Sequence, residues 1–235
     1  MILTAHQPTY LPWLGLFHKI ALSDQFVYLD NLQFEKNSWE NRNKIKTSDG
    51  SMWLTIPVNA HINLKSNQTK IDYTHNWHEK HLKSIKTNYR KTPFFSDYIT
   101  FFEETYEKKW QFLSEINEHV LKWILKELGI NVKFLRASDF DFQGAKSDLI
   151  LDMCKKLGAK KYIFGLLGRE YANIRDFKSN GIDLIFQNYN HPSYKQIYGN
   201  FIPNLSVIDL LFNCGPDSCK IIMSNNISKE SLLSK

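Results

Sequence analysis

The sequence predicts an α/β fold, namely a parallel-sheet Rossmann-like core that contains a helical insertion. Short apolar runs alternate with segments of helical spacing over the first 60 residues, and the same alternation resumes after residue 130. Between these two regions lies a stretch of long, charged segments with helical periodicity. Strand-helix-strand units of this kind build parallel sheets, because the crossover helix returns the chain to the same edge.

Residues 1–75 are predicted to form the first half of the core. Residues 2–5 and 25–29 are apolar runs of strand length, and residues 14–22 between them have helical spacing. A third strand is predicted at residues 52–58, closed by its proline. The order of the first three elements indicates a βαβ unit.

Residues 76–130 are predicted to form a helical insertion or subdomain. Asn76, followed by Glu79 three residues later, fits a capping box that opens the first helix. The last helix of the block has an apolar stripe, formed by Leu113, Ile116, Val120 and Trp123. We expect this block to act as a lid or as a surface for a partner.

Residues 131–225 are predicted to form the second half of the core. Strands are expected at residues 132–135, 161–164 and 182–186, and helices at residues 147–157 and 171–178. A short helix at residues 206–212 is expected to begin at a Ser206 cap. The polar residues 226–235 are predicted to be a frayed tail.

Composition excludes several classes of protein. The chain has 235 residues, of which 43% are hydrophobic and 23% charged, which is ordinary for a globular domain and unlike a disordered chain or a disulfide-rich miniprotein. Its net charge of +6 favours anionic partners without identifying one. The aromatic content of 14% supplies core area and flat surfaces for sugars or bases.

The amino-terminal segment and the cysteines bear on location. Met1 to His18 lacks charged side chains, but prolines and polar residues interrupt it, so it fits neither a membrane span nor a signal peptide. The 3 cysteines are an odd number without metal-type spacing, which is typical of reduced thiols. We therefore expect a cytoplasmic protein without membrane insertion.

Polar residues follow the predicted strands at one edge of the sheet. In an open parallel sheet, ligands bind beyond the carboxyl ends of the strands. Polar or glycine-containing segments occupy those positions: His6-Gln7, Asp30-Asn31, Ser138-Asp139, Gly165 to Gly168 and Gln187 to His191. The histidine at residue 6 is either a general base with a near-neutral pKa or a histidine hydrogen-bonded to a loop carbonyl.

The loop from Gln33 to Lys46 is rich in amide and basic side chains around Trp39. Arg42, Lys44 and Lys46 suit a clamp for phosphate or carboxylate, while Asn43 offers an amide donor. The two lysines fit the outward face of an edge strand equally well. For the arginine the clamp is favoured, because its planar fork suits bidentate recognition.

The loop after the last predicted strand is rich in aromatic and amide residues. Tyr189, His191, Tyr194 and Gln196 suit a polyhydroxylated ligand, and the alternative is a loop packed on the core. Together with Tyr10, Trp13 and Trp39, the two tyrosines are predicted to form a sugar-facing rim. Three further histidines, His75, His78 and His81, lack the spacing of a zinc motif, so we expect no metal site.

The chain resembles the WbqC-like family in three segments: HQPTYLPWLGLFHKI, LQFEKNSWENRNKIK with WLTIPV, and GIDLIFQNYNHPSYKQIYGNFIPNLSVIDLLFNCGP. The similarity extends from Met1 to about Pro216. Members occur in bacterial O-antigen and other surface-polysaccharide gene clusters, and the resemblance implies transfer of glycine or a related acyl group onto an amino sugar. The implied motif positions are His6, Gln7, Tyr10, Asp30, Arg42, Asn43, His191, Tyr194, Gln196 and Asp209.

A second resemblance concerns the fold. The opening of the chain is similar to that of pantothenate synthetases and related nucleotidyltransferases, in which a histidine-glycine-histidine motif follows the first strand. At that position this chain has Trp13-Leu14-Gly15-Leu16, so the glycine matches and both histidines are missing. The resemblance implies a nucleotidyltransferase-like core, but not the ATP chemistry of those enzymes.

The main hypothesis is an N-acyltransferase that forms an amide on a nucleotide-linked amino sugar. His6 or His191 would deprotonate the amine, and Asp30 would orient it. Arg42 with Lys44 or Lys46 would hold phosphates, and amides of Asn43 or of the Gly165 to Gly168 turn would stabilise the oxyanion. We expect no permanently bound cofactor; the co-substrate would be an acyl carrier protein or coenzyme A thioester.

Two alternatives remain open. One is an ATP-dependent ligase that adenylates a small acid and passes it to an amine, which pyrophosphate release would reveal. The other is a carbohydrate- or nucleic-acid-binding protein without catalysis. The second is disfavoured for nucleic acid, because basic residues are spread along the chain and no nucleic-acid-binding motif is present.

Overall fold

The computed structural model describes residues 1–59 and 64–234. Its strands are β1 (Ile2–His6), β2 (Gln25–Tyr28), β3 (Arg42–Thr47), β4 (Gly50–Thr55), β5 (Val58–Asn59), β6 (Lys70–Ile71), β7 (Lys133–Arg136), β8 (Lys161–Phe164) and β9 (Asp183–Phe186). Its helices are α1 (Leu14–Ala21), α2 (Trp77–Tyr89), α3 (Phe95–Glu107), α4 (Leu113–Glu127), α5 (Ser147–Leu157), α6 (Ile174–Ser179), α7 (Val207–Cys214), α8 (Ser218–Met223) and α9 (Lys229–Leu233).

The central sheet has five strands in the order β7-β2-β1-β8-β9, and every neighbouring pair is parallel. The chain winds outward from β1 through β2 to β7, and then crosses back to β8 and β9. This is the α/β, Rossmann-like architecture that the alternating pattern predicts. The direction of winding reverses between β1 and β8, so a crevice is expected at the carboxyl ends of these two strands.

Local sequence signals explain the boundaries that agree best with prediction. The helix at residues 147–157 and the strand at residues 161–164 are confirmed residue for residue. Between them Gly158 adopts a φ of 71°, a left-handed conformation that glycine reaches without a steric penalty and that ends the helix. At the start of α7, Ser206 caps the helix by accepting a hydrogen bond from the Ile208 amide.

The two faces of the sheet are covered by different helices. Leu3 and Ala5 of β1 pack with α5 and α6 in one cluster. Phe26 and Tyr28 of β2 belong to a larger cluster on the other face, which also contains buried residues of α1, α7 and the helices of the 76–130 block. The helical insertion therefore shares the core of the sheet instead of forming a separately packed subdomain.

Three local predictions need correction. The strand predicted at residues 52–58 ends at Thr55, and it pairs antiparallel with β3 in a hairpin outside the main sheet. The helix predicted at residues 171–178 begins at Ile174, after a 3-10 turn at Leu166–Glu170. The predicted frayed tail contains α9, whose Leu232 is buried against Ile2 and Ile163.

The cysteines and the helix lengths complete the description. Cys154 is buried, Cys214 and Cys219 are half-buried, and all three thiols are free. Within residues 1–59 and 64–234, no helix has the length and apolar character needed to cross a membrane.

Candidate functional site

The carboxyl edge of the sheet brings His6 and Asp30 to neighbouring positions. His6 is the last residue of β1, and its carbonyl accepts a hydrogen bond from the amide of Leu29 at 2.9 Å. Asp30 follows β2 and is buried. In the register of the two strands His6 pairs with Tyr28, so the His6 side chain lies on the sheet face covered by α1.

The imidazole of His6 is half-buried and neutral. Its Nδ1 lies 2.8 Å from the carbonyl oxygen of Gln7 and 3.3 Å from the hydroxyl of Thr9. Burial, and then the charge of Lys19, lower the pKa of His6 to about 3 against the opposing effect of the Gln7 bond. Because the carbonyl only accepts, Nδ1 must donate, which leaves the lone pair of Nε2 without a protein partner among the described residues.

Lys19 is a residue that the sequence reasoning missed. Its side chain is 4% exposed, and its Nζ donates a hydrogen bond to the carbonyl oxygen of Ala5 at 3.0 Å. Burial lowers its pKa to about 8. A sequence signal existed, since Lys19 is the first charged residue of the chain and lies within the apolar helix LGLFHKIA.

Asp30 holds two loops of the edge together. Its Oδ1 accepts a hydrogen bond from the amide of Ser138 at 3.0 Å, and its Oδ2 accepts one from the hydroxyl of the same serine at 2.6 Å. Its carbonyl accepts from the amide of Asn67 at 2.8 Å. These bonds join the ends of β2 and β7, so the geometry makes Asp30 a positioning residue for the edge.

The loop after β1 is fixed by bonds from three other segments. The amide of Tyr10 donates to the carbonyl of Trp39 at 2.9 Å, and the amide of Val207 donates to the carbonyl of Pro12 at 2.9 Å. Leu11 has a φ of 46°, which is strained for a residue with a side chain. Asn43 supports this conformation, because its Nδ2 donates to the carbonyl of Leu11 at 2.6 Å.

Two residues predicted to bind substrate are therefore structural in this arrangement. Asn43 is fully buried, and its Oδ1 accepts from the Lys44 amide at 2.7 Å, so its amide does not face a ligand. Tyr10 is also fully buried, and its hydroxyl is bonded to Nδ1 of His81 and to the hydroxyl of Tyr106. The prediction of a rim position for Tyr10 is wrong, because helices α2 and α3 cover the ring.

Gln7, Trp13 and Tyr189 are half-buried near the same loop. The Nε2 of Gln7 lies 3.5 Å from the carbonyl of Gln33, which is a long contact. The rings of Trp13 and Tyr189 meet edge to face at 5.6 Å, and the Tyr189 hydroxyl donates to the carbonyl of Ile222 at 3.1 Å. These rings retain partial exposure, but each is already packed against a neighbour.

The β3-β4 hairpin and the segment just before it present a face of cations and tryptophans, which we call the Trp-Arg face: Trp39, Arg42, Lys44 and Trp53. The guanidinium of Arg42 and the ammonium of Lys44 lie 4.6 and 4.9 Å from the centre of the Trp53 ring. The Trp39 and Trp53 rings are 5.5 Å apart and are 53% and 41% exposed. The sequence reasoning did not identify Trp53 as a site residue. It pairs directly with Lys44 across the hairpin, and the alternation of side chains along the two strands was the signal that could have placed both on one face.

A buried hydrogen-bond network accounts for two more predicted binding residues. Asp209 of α7 is fully buried, and its carboxylate accepts bonds from Tyr89, Tyr194 and Gln196 at 2.9, 2.8 and 2.8 Å. Burial raises the pKa of Asp209 despite these bonds. Tyr194 and Gln196 therefore point towards a carboxylate inside the protein. The prediction that they contact a sugar is wrong, because their polar groups are bonded to Asp209.

Lys46 belongs to the same region. Its amide donates to the hydroxyl of Tyr89 at 2.9 Å, and its Nζ donates to the carbonyl of Asn200. Because only 2% of Lys46 is exposed, its ammonium is not part of the open Trp-Arg face. Burial lowers the pKa of Lys46, although the charge of Asp209 acts in the opposite direction.

His191 is engaged at both ring nitrogens. Its Nδ1 lies 2.9 Å from the carbonyl of Pro192, and its Nε2 accepts from the amide of Asn204 at 3.2 Å. Burial lowers its pKa. No hydrogen bond between the described residues joins His191 to His6. Both ring nitrogens of His191 have partners, whereas Nε2 of His6 has none among the described residues. His6 is the better placed of the two to accept a proton.

Glu40 is a further titratable group that the sequence reasoning missed. It is 4% exposed, and the hydroxyl of Ser66 donates to its Oε2 at 2.6 Å. Burial raises its pKa to about 7, against the opposing effect of the Ser66 bond. The backbone carbonyl of Glu40 accepts from Nδ2 of Asn117 at 2.8 Å, which ties this loop to α4.

Cavity shape does not locate the site. Two shallow depressions of about 400 and 470 Å³ lie elsewhere, one beside Phe134 and one between α2 and α3. Neither is lined by a residue predicted for the site. The candidate site rests on chemistry and strand topology: His6, Lys19 and Asp30 lie at the carboxyl edge, with the Trp-Arg face on the adjoining hairpin.

Comparisons with known proteins agree with the segments that carry the resemblance. The WbqC-like protein family matches residues 7–221. An uncharacterized protein of Mycobacterium tuberculosis, Rv1507c, is 33% identical over 216 residues, which cover 90% of this chain and 93% of the relative. No solved structure matches the chain significantly. Since the family match spans most of the chain and every motif position except His6, the chain belongs to the WbqC-like protein family.

Proposed function

We propose that this protein is an N-acyltransferase that forms an amide on the amino group of a nucleotide-linked amino sugar, for a bacterial surface polysaccharide such as O-antigen. The observation that carries the proposal is the state of His6. Its imidazole is neutral, its Nε2 has no partner among the described residues, and it lies at the carboxyl edge where α/β sheets bind ligands. A neutral imidazole with a free lone pair is a proton acceptor, and the negative charge of a substrate bound beside it would raise its pKa of about 3 towards the range that general-base catalysis needs.

The proposed reaction uses a thioester donor, from coenzyme A or an acyl carrier protein. The sugar amine attacks the thioester carbonyl, a C–N bond forms, and His6 Nε2 takes the proton released by the amine. The tetrahedral intermediate then collapses, the C–S bond breaks, and the thiolate leaves with the proton held by His6. General-base catalysis of this kind contributes roughly 10²- to 10⁴-fold to the rate.

The Trp-Arg face supports the choice of a nucleotide-linked substrate. Exposed indole rings stack on bases or on sugar faces, and guanidinium and ammonium groups pair with phosphates. Trp53 lies beneath Arg42 and Lys44, so a ring surface and two cations occur within one short hairpin. The loop that follows His6 is joined to the segment just before this hairpin by the hydrogen bond from the Tyr10 amide to the Trp39 carbonyl.

The experiment is a turnover assay with purified protein. A panel of nucleotide-linked amino sugars is incubated with acetyl, glycyl and longer acyl thioesters, and mass spectrometry detects the acylated sugar nucleotide. We expect one sugar-donor pair to give product, and the His6→Gln variant to lose it. Turnover only with ATP and a free acid, accompanied by pyrophosphate release, would replace the proposal with an adenylating ligase. Sugar-nucleotide binding without turnover under any condition would replace it with a binding protein.

A further inference from the structure

Lys19 is a buried cation without a counter-ion in the described structure. It is 4% exposed, and none of the ion pairs among the described residues includes it. An ammonium group has three N–H donors, and one of them is used by the carbonyl of Ala5. Burial of an unpaired charge opposes folding, so a lysine at such a position calls for a compensating role.

The direction of the Ala5 carbonyl places this ammonium between β1 and β8, where the winding of the chain reverses direction. Along a strand, successive carbonyls point to opposite neighbours. The carbonyl of His6 points to β2, because it accepts from the Leu29 amide at 2.9 Å. The carbonyl of Ala5 therefore points towards β8, although the β1-β8 pairing ends at Thr4 and Ile163. Lys19 Nζ thus lies where the two strands part.

His6 lies on the sheet face covered by α1, next to the point where β1 and β8 part. It follows Ala5 directly, and the charge of Lys19 is close enough to lower its pKa. Its Nε2 and two N–H donors of Lys19 have no protein partner among the described residues. The carboxyl ends of β1 and β8 therefore carry unsatisfied hydrogen-bonding groups and one uncompensated positive charge.

We propose that Lys19 binds an anionic oxygen group of the substrate, a phosphate or carboxylate oxygen, at the carboxyl ends of β1 and β8 beside His6. Such a ligand supplies the missing counter-charge and accepts the free N–H donors. The inference concerns the same site as the proposed acyl transfer, but it does not depend on that reaction. In this proposal α1 provides a cation that recognises an anion next to the reacting centre, and the Trp-Arg face provides further cations.

The first test is calorimetric binding of two probes, inorganic pyrophosphate and acetate, to the full-length protein. We expect one of them to bind. Binding of pyrophosphate would indicate a phosphate group as the ligand, and binding of acetate would indicate a carboxylate. Lys19→Met should weaken that binding at least tenfold. Lys161→Met is the matched control, because Lys161 also donates its Nζ to a backbone carbonyl, that of Leu232 at 2.5 Å, but from the amino end of β8. Lys161→Met should bind as the wild type does.

A second measurement needs no change at Lys19. Addition of the binding anion to the wild-type protein should shift the imidazole NMR resonances of His6, assigned with His6→Gln, and leave those of the exposed His75 unchanged. Equal binding by Lys19→Met, no binding of either anion, or an unshifted His6 resonance would each overturn the inference. Absence of acyl transfer would count against the proposed reaction alone, because neither measurement requires turnover.

Discussion

The hydroxyl of Tyr89 in α2 donates a hydrogen bond to Oδ1 of Asp209 in α7 at 2.9 Å. The oxygen of this Tyr89 hydroxyl also accepts a hydrogen bond from the backbone amide of Lys46 in β3, at 2.9 Å. One buried hydroxyl therefore links the helical insertion, the hairpin and α7. All three elements surround the larger core cluster, so this link stabilises the relative placement of the hairpin and the sheet.

Replacement of Tyr89 by Phe should lower the free energy of unfolding by about 1–3 kcal/mol. The change removes no ring packing, but it leaves a buried carboxylate oxygen and a buried amide without a partner. Urea denaturation measures the loss. Tyr98→Phe is the control, because the hydroxyl of Tyr98, in α3, makes no hydrogen bond with the described residues. Equal losses in the two variants would show that the Tyr89 link contributes nothing specific.

The fold was more predictable than the site, for a physical reason. The boundaries of α5 and β8 follow from signals within their own segments, namely apolar periodicity and a glycine at the helix end. The hairpin and α9 depend on distant partners, since β4 pairs outside the sheet and Leu232 packs against Ile2. Residues in such segments have the same local pattern whether or not a partner is present.

The site shows the same limit at the level of side chains. His6 and Asp30 were placed correctly at one edge, because strand ends determine where they lie. Tyr10 was misplaced because its partners are far away in sequence; the hydroxyl meets His81, 71 residues further along the chain. Lys19 was missed because a lysine in the last turn of a helix usually extends its ammonium into solvent, and its local sequence does not show that this one is buried.

Glu40 should make stability depend on pH around neutrality. Its folded-state pKa of about 7 lies above the ordinary value of 4.5, so the folded protein retains a proton that the unfolded chain has lost between these values. Stability is therefore full below about pH 4.5 and falls as the pH rises to 7. Glu40→Gln removes this loss and should stabilise the protein at pH 8 by up to about 3 kcal/mol, with the gain disappearing towards pH 4.5.

Thermal unfolding of Glu40→Gln across this pH range measures the effect. Glu127→Gln removes the same charge from an exposed position at the end of α4, and it should show no comparable change with pH. A gain for Glu40→Gln that is independent of pH would indicate better packing and not relief of a buried charge.

The Trp-Arg face yields a binding prediction that follows from the proposed function. Trp53→Ala should raise the Kd for the nucleotide-linked amino sugar roughly tenfold or more, since stacking on an aromatic ring contributes about 1–3 kcal/mol per base. Stability should change little, because the ring is 41% exposed. Leu233→Ala is the control, since Leu233 is 63% exposed but lies in α9, next to the residue that bonds to the amino end of β8. Equal affinity of Trp53→Ala and wild type by calorimetry would exclude this face as the nucleotide site.

The two histidines should respond in opposite ways to substitution. His6→Gln should lower kcat roughly 10²- to 10⁴-fold, because it removes the proton acceptor at the carboxyl edge. Its melting temperature should stay close to that of the wild type, because glutamine supplies an amide donor in place of Nδ1 for the Gln7 carbonyl, and Nε2 of His6 makes no bond to the described residues. His191→Phe should lower the free energy of unfolding by about 1–2 kcal/mol, because Pro192 and Asn204 each lose a partner.

The folded His191→Phe variant should retain kcat, and the comparison of kcat with melting temperature in both variants therefore separates a reacting group from a structural one. The opposite outcome, with activity lost in His191→Phe and retained in His6→Gln, would move the base to the loop after β9. That loop would then have to release the Asn204 amide from Nε2 before the ring could accept a proton, because the lone pair is otherwise occupied. His6 requires no such rearrangement, and for this reason the carboxyl end of β1 is the position where we expect the proton to be transferred.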